Sequence, residues 1–167
     1  MKKPNTIKLL FFVALTASVL FSCSKDDDGG NDPLADVPKG EIVPVEQRDQ
    51  VLTGFSELRN NDEQVWWKHV ISTVDIDCGE ESDYWEDEFE DTYIAFKPDG
   101  QIYAKYGIDG DEYSSGETWE WENEDKDAII TQGVTFELTE LNDTGVIYAS
   151  VQGESNCTAV TWEKFEK

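Results

Sequence analysis

The C-terminal two thirds of the chain alternate between short apolar stretches and polar turns, a pattern typical of antiparallel β-sheet proteins. The clearest period of two lies in residues 117–122, where Trp119 and Trp121 share one face and Thr, Glu and Glu share the other. Residues 134–139 repeat this alternation with Val, Phe and Leu on one side. Such alternation indicates strands with one buried face and one solvated face.

Applied along the chain, the same criteria predict eight short strands separated mostly by hairpin-sized turns. The turn Lys97-Pro98-Asp99-Gly100 has a proline that fixes φ and a glycine free to take a positive φ. A short helix is predicted between residues 45 and 60, preceded by Pro44 and ended early by Gly54, and residues 79–91 are predicted to form an acidic loop. The predicted strands are residues 65–76, 92–96, 101–106, 117–122, 128–131, 134–139, 146–152 and 157–165. This pattern predicts an all-β domain, either a closed antiparallel barrel or a sandwich.

The first 22 residues have the features of a signal peptide. Three lysines precede an apolar run from Leu9 to Leu20, which is short for a membrane span. The run ends in Leu20-Phe21-Ser22-Cys23, which resembles the lipobox of bacterial lipoproteins. The resemblance implies cleavage after Ser22 and acylation of Cys23, with membrane attachment through the acyl chains.

The residues after Cys23 are acidic and rich in glycine and proline. We expect residues 23–44 to form the lipidated cysteine and a flexible tether, and residues 45–167 to form the folded domain. The Lys-Asp-Asp run at 25–27 looks like the signal that sends lipoproteins to the outer face of the outer membrane in certain Gram-negative bacteria. The alternatives are a solvated acidic leader and exposure at the periplasmic face.

The charge of the chain excludes one class of partner. Removal of residues 1–22 takes away three of the 13 basic residues and none of the 37 acidic ones, which leaves a formal charge of −27. Nucleic-acid binding needs clustered Lys and Arg, so a nucleic-acid partner is not expected.

Two cysteines remain besides Cys23. In an oxidising compartment outside the cytoplasm, Cys78 and Cys157 are expected to form a disulfide. Cys78 follows the first predicted strand and Cys157 opens the last, and these two strands are antiparallel neighbours in an up-and-down barrel. A bridge there would pin the closing seam, which favours the eight-stranded up-and-down barrel over the sandwich. Two cysteines and one histidine do not complete a zinc site, so no metal is expected there.

Several short motifs resemble the lipocalin-like domain of small bacterial surface lipoproteins. The resemblance covers about residues 51–165 and implies a lipocalin-like barrel. No ligand-contact motif of that family is matched, so no binding residue follows from it. The motifs are Leu52-Thr53-Gly54 before a Trp-bearing strand, Phe96-Lys97-Pro98-Asp99-Gly100, Gly116-Glu117-Thr118-Trp119, Phe136-Glu137-Leu138 and Val160-Thr161-Trp162-Glu163-Lys164.

No motif in the sequence indicates catalysis or a cofactor. The only histidine, His69, is interpreted as a strand residue on a partly wet face, and no carboxylate pair is marked as buried. The acids at 75–86 approach an EF-hand spacing but lack its ligand and glycine at positions 5 and 6, so we reject that motif. Weak cation binding stays an alternative to a solvated loop for Glu80, Glu81, Asp83, Glu86, Asp87 and Glu88.

The aromatic residues supply the candidate binding site. We expect a non-catalytic module that holds a small apolar or amphipathic molecule in the barrel mouth. The alternative is an adhesion or assembly module that contacts a protein or glycan through its outer surface or acidic loop. Aromatic residues that fill a core and those that line a cavity share one sequence pattern, so the sequence leaves both open. The candidate ligand-binding residues are Trp67, Phe96, Tyr103, Trp119, Trp121 and Phe136.

Overall fold

The predicted strands form one antiparallel sheet that closes on itself. The computed structural model describes residues 32–55, 63–154 and 156–167. In this part of the chain it has one helix and nine strands. They are α1 (Val45–Thr53), β1 (Trp67–Asp77), β2 (Ser82–Glu88), β3 (Thr92–Phe96), β4 (Gln101–Tyr106), β5 (Tyr113–Trp121), β6 (Ala128–Thr131), β7 (Val134–Leu141), β8 (Gly145–Glu154) and β9 (Cys157–Glu166).

Eight of these strands form a closed barrel, as predicted. From β3 to β9 each strand pairs with the next, and β9 returns to pair with β1 along most of its length. The circle closes between β1 and β3 through Trp67 and Lys68, which pair with Ile94 and Tyr93. Beyond Lys68, β1 separates from β3 and continues to Asp77, still paired with β9.

The ninth strand corrects one prediction. Residues 79–91 are predicted to be a loop, but Ser82–Glu88 form β2, which pairs with the part of β1 that has separated from β3. Every residue of β2 is exposed, so neither of its faces needs an apolar pattern. Its acidic composition therefore concealed the strand.

The disulfide between Cys78 and Cys157 is confirmed. It joins the end of β1 to the start of β9, so it lies at the predicted closing seam. The two cysteines are 79 residues apart. In the chain-entropy model a loop of that length stabilises the fold by about 4.5 kcal/mol.

The predicted short helix is α1, and Gly54 ends it. Gly54 has a φ of 84°, and its N–H donates to the carbonyl of Gln50. A Cβ on Gly54 would lie 1.8 Å from the Glu63 carbonyl oxygen, so the returning chain passes too close for any other residue. Val51 and Leu52 are buried and enter one end of the barrel.

Residues 32–44 pack against the barrel and are not part of a flexible tether. Leu34 and Val37 are buried against Ile147 and Ala149. Ile42 forms a parallel bridge with Leu141, and neighbouring backbone groups bond to β7. The tether prediction fails here because the prolines and acids hide three well-spaced apolar residues. The rest of the predicted tether, the signal peptide and Cys23 lie outside the described residues.

One end of the barrel interior is filled with apolar side chains, and we call this the lower half. It is the end that receives α1, and its members are nearly inaccessible to solvent. The lower half comprises Val51, Leu52, Trp67, Phe96, Trp119, Ile129, Leu141, Val146 and Phe165.

No helix among the described residues has the length and apolar composition needed to cross a membrane.

Candidate functional site

The other end of the barrel interior, which we call the upper half, is polar and only half-buried. Glu163 pairs with Ser72 on β1 and with Tyr148 on β8, so these three side chains lie on the same, inward face of the sheet. Tyr148 and Ser150 are buried there, and the other members are partly accessible to solvent. Incomplete burial of inward-facing residues indicates an open mouth. The upper half comprises Ser72, Glu117, Thr131, Val134, Phe136, Tyr148, Ser150, Thr161 and Glu163.

Four strands continue beyond the mouth and form a wall on one side of it. In one row across β9, β1 and β2, Thr161 pairs with Val74, and Val74 pairs with Trp85. Trp85 therefore lies on the face that continues the barrel interior, and it is 50% exposed. Its neighbour Tyr84, 59% exposed, lies on the opposite face.

Three polar side chains meet at the floor of the upper half. Tyr148 donates its hydroxyl hydrogen to Oε2 of Glu163 at 3.1 Å. The same oxygen lies 3.4 Å from Nε2 of His69. The His69 ring is stacked between Phe89 and Phe165, with centroid distances of 3.7 and 4.6 Å. The floor is thus a fixed polar group held by aromatic packing.

Burial shifts the titration of all three groups. It raises the pKa of Glu163 to about 7, an effect that the hydrogen bond from Tyr148 opposes and the nearby charge of Glu117 reinforces. Burial also lowers the pKa of His69 to about 4, against a hydrogen bond to the backbone of Ile71. The pKa of Tyr148 is raised well above its ordinary value by burial and by Glu163. At neutral pH His69 is uncharged, and Glu163 is near its midpoint.

The prediction of a partly wet His69 is wrong, because the residue is only 7% exposed. The register of β1 against β9 shifts between His69 and Ile71. His69 pairs with Phe165 and faces inward below this shift, and Phe89 covers it where β1 leaves β3. The sequence around Lys68 indicates neither the register shift in β1 nor the packing of Phe89 on His69.

Three of the predicted ligand-binding aromatics lie in the lower half. Trp67, Phe96 and Trp119 are buried. The indole N–H of Trp67 donates to the carbonyl of Leu52, and that of Trp119 donates to the carbonyl of Lys97. These polar groups are bonded within the chain, and the rings fill the core.

The other three predicted aromatics are dispersed. Trp121 is half-buried and donates its indole N–H to Oδ1 of Asp49 on α1 at 2.7 Å. Phe136 lies in the upper half, with its ring centroid 5.0 Å from that of Tyr148. Tyr103 pairs with Ala95 on the outer face, where the ammonium of Lys97 lies 5.0 Å from its ring. Of the six, Phe136 alone lies in the upper half.

An open groove of about 1000 Å³ lies outside the barrel between α1, the β3–β4 turn and the edges of β5 and β6. Trp119 and Trp121 border it, but both indole N–H groups are already bonded within the chain. The groove borders contain several exposed polar side chains. It therefore has fewer features of a built binding site than the upper half.

The acidic residues of β2 do not converge on one point. Asp83 and Asp87 lie on the side of Trp85, whereas Glu86 and Glu88 lie on the side of Tyr84. Among the described residues, no three His, Cys, Asp or Glu side chains are placed together to hold a metal ion.

Sequence reasoning missed Glu163. A usable signal was present in β9, where Thr161, Glu163 and Phe165 alternate with outward residues, so a carboxylate occupies an inward position. The raised pKa of Glu163 depends on its burial among neighbouring strands and on the charge of Glu117 from β5, which the local pattern does not place.

Comparison with known proteins adds no relative to this picture. No family profile, no curated protein and no solved structure matches the chain.

Proposed function

We propose that the chain is a lipid-anchored binding protein of the bacterial cell envelope, which holds a small amphipathic molecule in the mouth of its barrel. In this proposal acyl chains on Cys23 attach the protein to the outer membrane, with the barrel at the cell surface or at the periplasmic face. The signal peptide and the lipobox at residues 20–23 support the anchor. The resemblance to lipocalin-like lipoprotein domains agrees with it.

The open upper half carries the binding proposal. Its floor offers a carboxylate and a hydroxyl, and its walls offer the apolar groups of Val74, Phe136 and Trp85. Small-molecule sites combine such apolar walls with a few polar groups that fix orientation. The binding role is non-catalytic in this proposal, because the sequence has no nucleophile motif such as Gly-x-Ser-x-Gly.

Two adjacent residues of β2 provide a matched test. Trp85 lies on the face of the mouth and Tyr84 on the opposite face, and both are exposed. Native mass spectrometry of the full protein isolated from its own host is expected to show a bound small molecule. Trp85→Ala is expected to reduce its occupancy severalfold, and Tyr84→Ala is expected to leave it unchanged. Absence of bound mass, or equal effects of the two substitutions, would contradict binding in the mouth.

The exposed β2 supports a second candidate, an adhesion or assembly module. Within the described chain β2 pairs only with β1, so its other edge has free backbone groups. An exposed edge strand pairs readily with a partner strand, although its acidic side chains limit indiscriminate pairing. This candidate predicts that Tyr84→Ala and Trp85→Ala both weaken attachment of whole cells to a protein or glycan surface.

A further inference from the structure

Among the described residues, the carboxylates of the upper half have no lysine or arginine partner. Glu163 lies at its floor with its side chain 24% exposed, and Glu117 acts on it from β5. The three lysines of the described strands are Lys68, Lys105 and Lys164, and all three lie on the outer face of the barrel. A carboxylate withdrawn from water without a cation is costly, so the site favours a ligand that brings one.

His69 provides a second, independent observation. Its Nε2 is buried and has no hydrogen-bond partner. The neutral tautomer that is protonated on Nδ1, and so can donate to the Ile71 backbone, leaves Nε2 as an acceptor. Nε2 faces Oε2 of Glu163 at 3.4 Å, so two acceptors confront each other when Glu163 is ionised. An N–H donor beside them would satisfy both atoms.

We propose that the upper half binds the ammonium group of an amphipathic primary amine. The ammonium donates to Glu163 and lies within the field of Glu117, and the apolar part of the ligand lies against Phe136 and Trp85. This inference rests on the proposed function and names the class of its ligand.

The titration of Glu163 gives the binding a pH dependence. Because burial raises the pKa of Glu163 to about 7, binding of the ammonium favours its ionised form and releases a proton. The titratable groups that face it are Tyr148, Glu117 and His69, with Asp87 farther along its row on β2. A primary amine keeps its charge up to about pH 10. Affinity should therefore increase between pH 6 and pH 8.

Three six-carbon probes test the proposal: n-hexylamine, n-hexanol and hexanoate. Each is titrated calorimetrically into the purified full chain at 0.15 M salt, where exposed charges are largely screened. We expect hexylamine to bind at least about tenfold more tightly than the other two, as a charge-assisted hydrogen bond provides. Equal affinity for hexylamine and hexanol overturns this inference and leaves the proposed function standing. Absence of binding by all three overturns both.

Matched variants test whether Glu163 causes the preference for hexylamine over hexanol. Glu163→Gln is expected to weaken hexylamine binding about tenfold and to leave hexanol binding unchanged. Glu117→Gln, at a half-buried position, is expected to give a smaller loss in the same direction and serves if the first variant does not fold. Glu120→Gln, exposed on the outer face of the same strand, is the control and is expected to change binding less than twofold. A loss in Glu120→Gln as large as in Glu163→Gln would show attraction to the acidic surface and overturn the proposal.

Discussion

The two halves of the barrel interior are built from the same strands but follow different rules. In the lower half α1 enters the barrel, and Trp67, Phe96 and Trp119 are packed, with both indole N–H groups bonded within the chain. In the upper half no helix enters among the described residues, and the inward positions of the same strands include Glu117 and Glu163. The difference teaches that apolar packing and inward-facing carboxylates are separated along the barrel axis. The lower half stabilises the fold, and the upper half has polar groups whose hydrogen-bonding capacity is not filled within the chain.

The comparison predicts very unequal costs for removing a tryptophan from each half. Trp67→Ala removes a fully buried ring and leaves the Leu52 carbonyl without its donor, so we expect a loss of about 3–5 kcal/mol in the free energy of unfolding. Trp85→Ala removes a half-exposed ring and is expected to change it by about 0.5 kcal/mol or less. Urea unfolding of the two variants measures both values. A loss in Trp85→Ala close to that in Trp67→Ala would show that the mouth is packed.

The floor of the upper half should make stability depend on pH. The pKa of Glu163 is raised in the folded state, so its stabilising contribution is complete below pH 4.5 and is lost as the pH rises to about 7. Glu163→Gln removes this term. Its stability relative to the wild type is therefore expected to increase by about 3 kcal/mol between pH 4.5 and pH 7.5. Urea unfolding at several pH values measures the trend, and a constant difference between the two proteins would contradict it.

His69 gives the opposite trend and serves as the internal control. Its pKa is lowered in the folded state, so its contribution is present above pH 6.5 and is lost as the pH falls towards 4. Phe preserves an aromatic ring between Phe89 and Phe165. His69→Phe should therefore gain stability relative to the wild type as the pH falls from 6.5 to 4. Parallel trends in His69→Phe and Glu163→Gln would show that the pH dependence arises elsewhere.

The sequence predicted those features of the fold that a single local residue pattern specifies. The strands β3, β4 and β6 begin and end at the predicted residues, and the closing disulfide was predicted from strand order. These features depend on local alternation, on turn residues, and on the fact that the first and last strands of an up-and-down barrel are antiparallel neighbours.

The candidate site was less predictable, because it depends on cross-strand neighbours. Aromatic residues in alternating strands have the same signature whether they fill a core or line a cavity, so Trp67 and Trp119 could not be assigned to the lower half. Glu163 resembles any strand glutamate until Tyr148 and His69 are placed beside it. The strand β2 was missed for a related reason, since its pairing depends on β1 separating from β3 after Lys68.

A nuclear magnetic resonance titration of the tryptophan indole N–H signals tests the division between the halves most directly. The signals of Trp67, Trp119 and Trp121 report on the lower half and the outer groove, and the signal of Trp85 reports on the mouth. With n-hexylamine added to the full chain, we predict that the Trp85 signal shifts and saturates and that the signals of Trp67, Trp119 and Trp121 stay in place. Saturable shifts of Trp119 and Trp121 with a constant Trp85 signal would place the ligand in the outer groove and contradict the account.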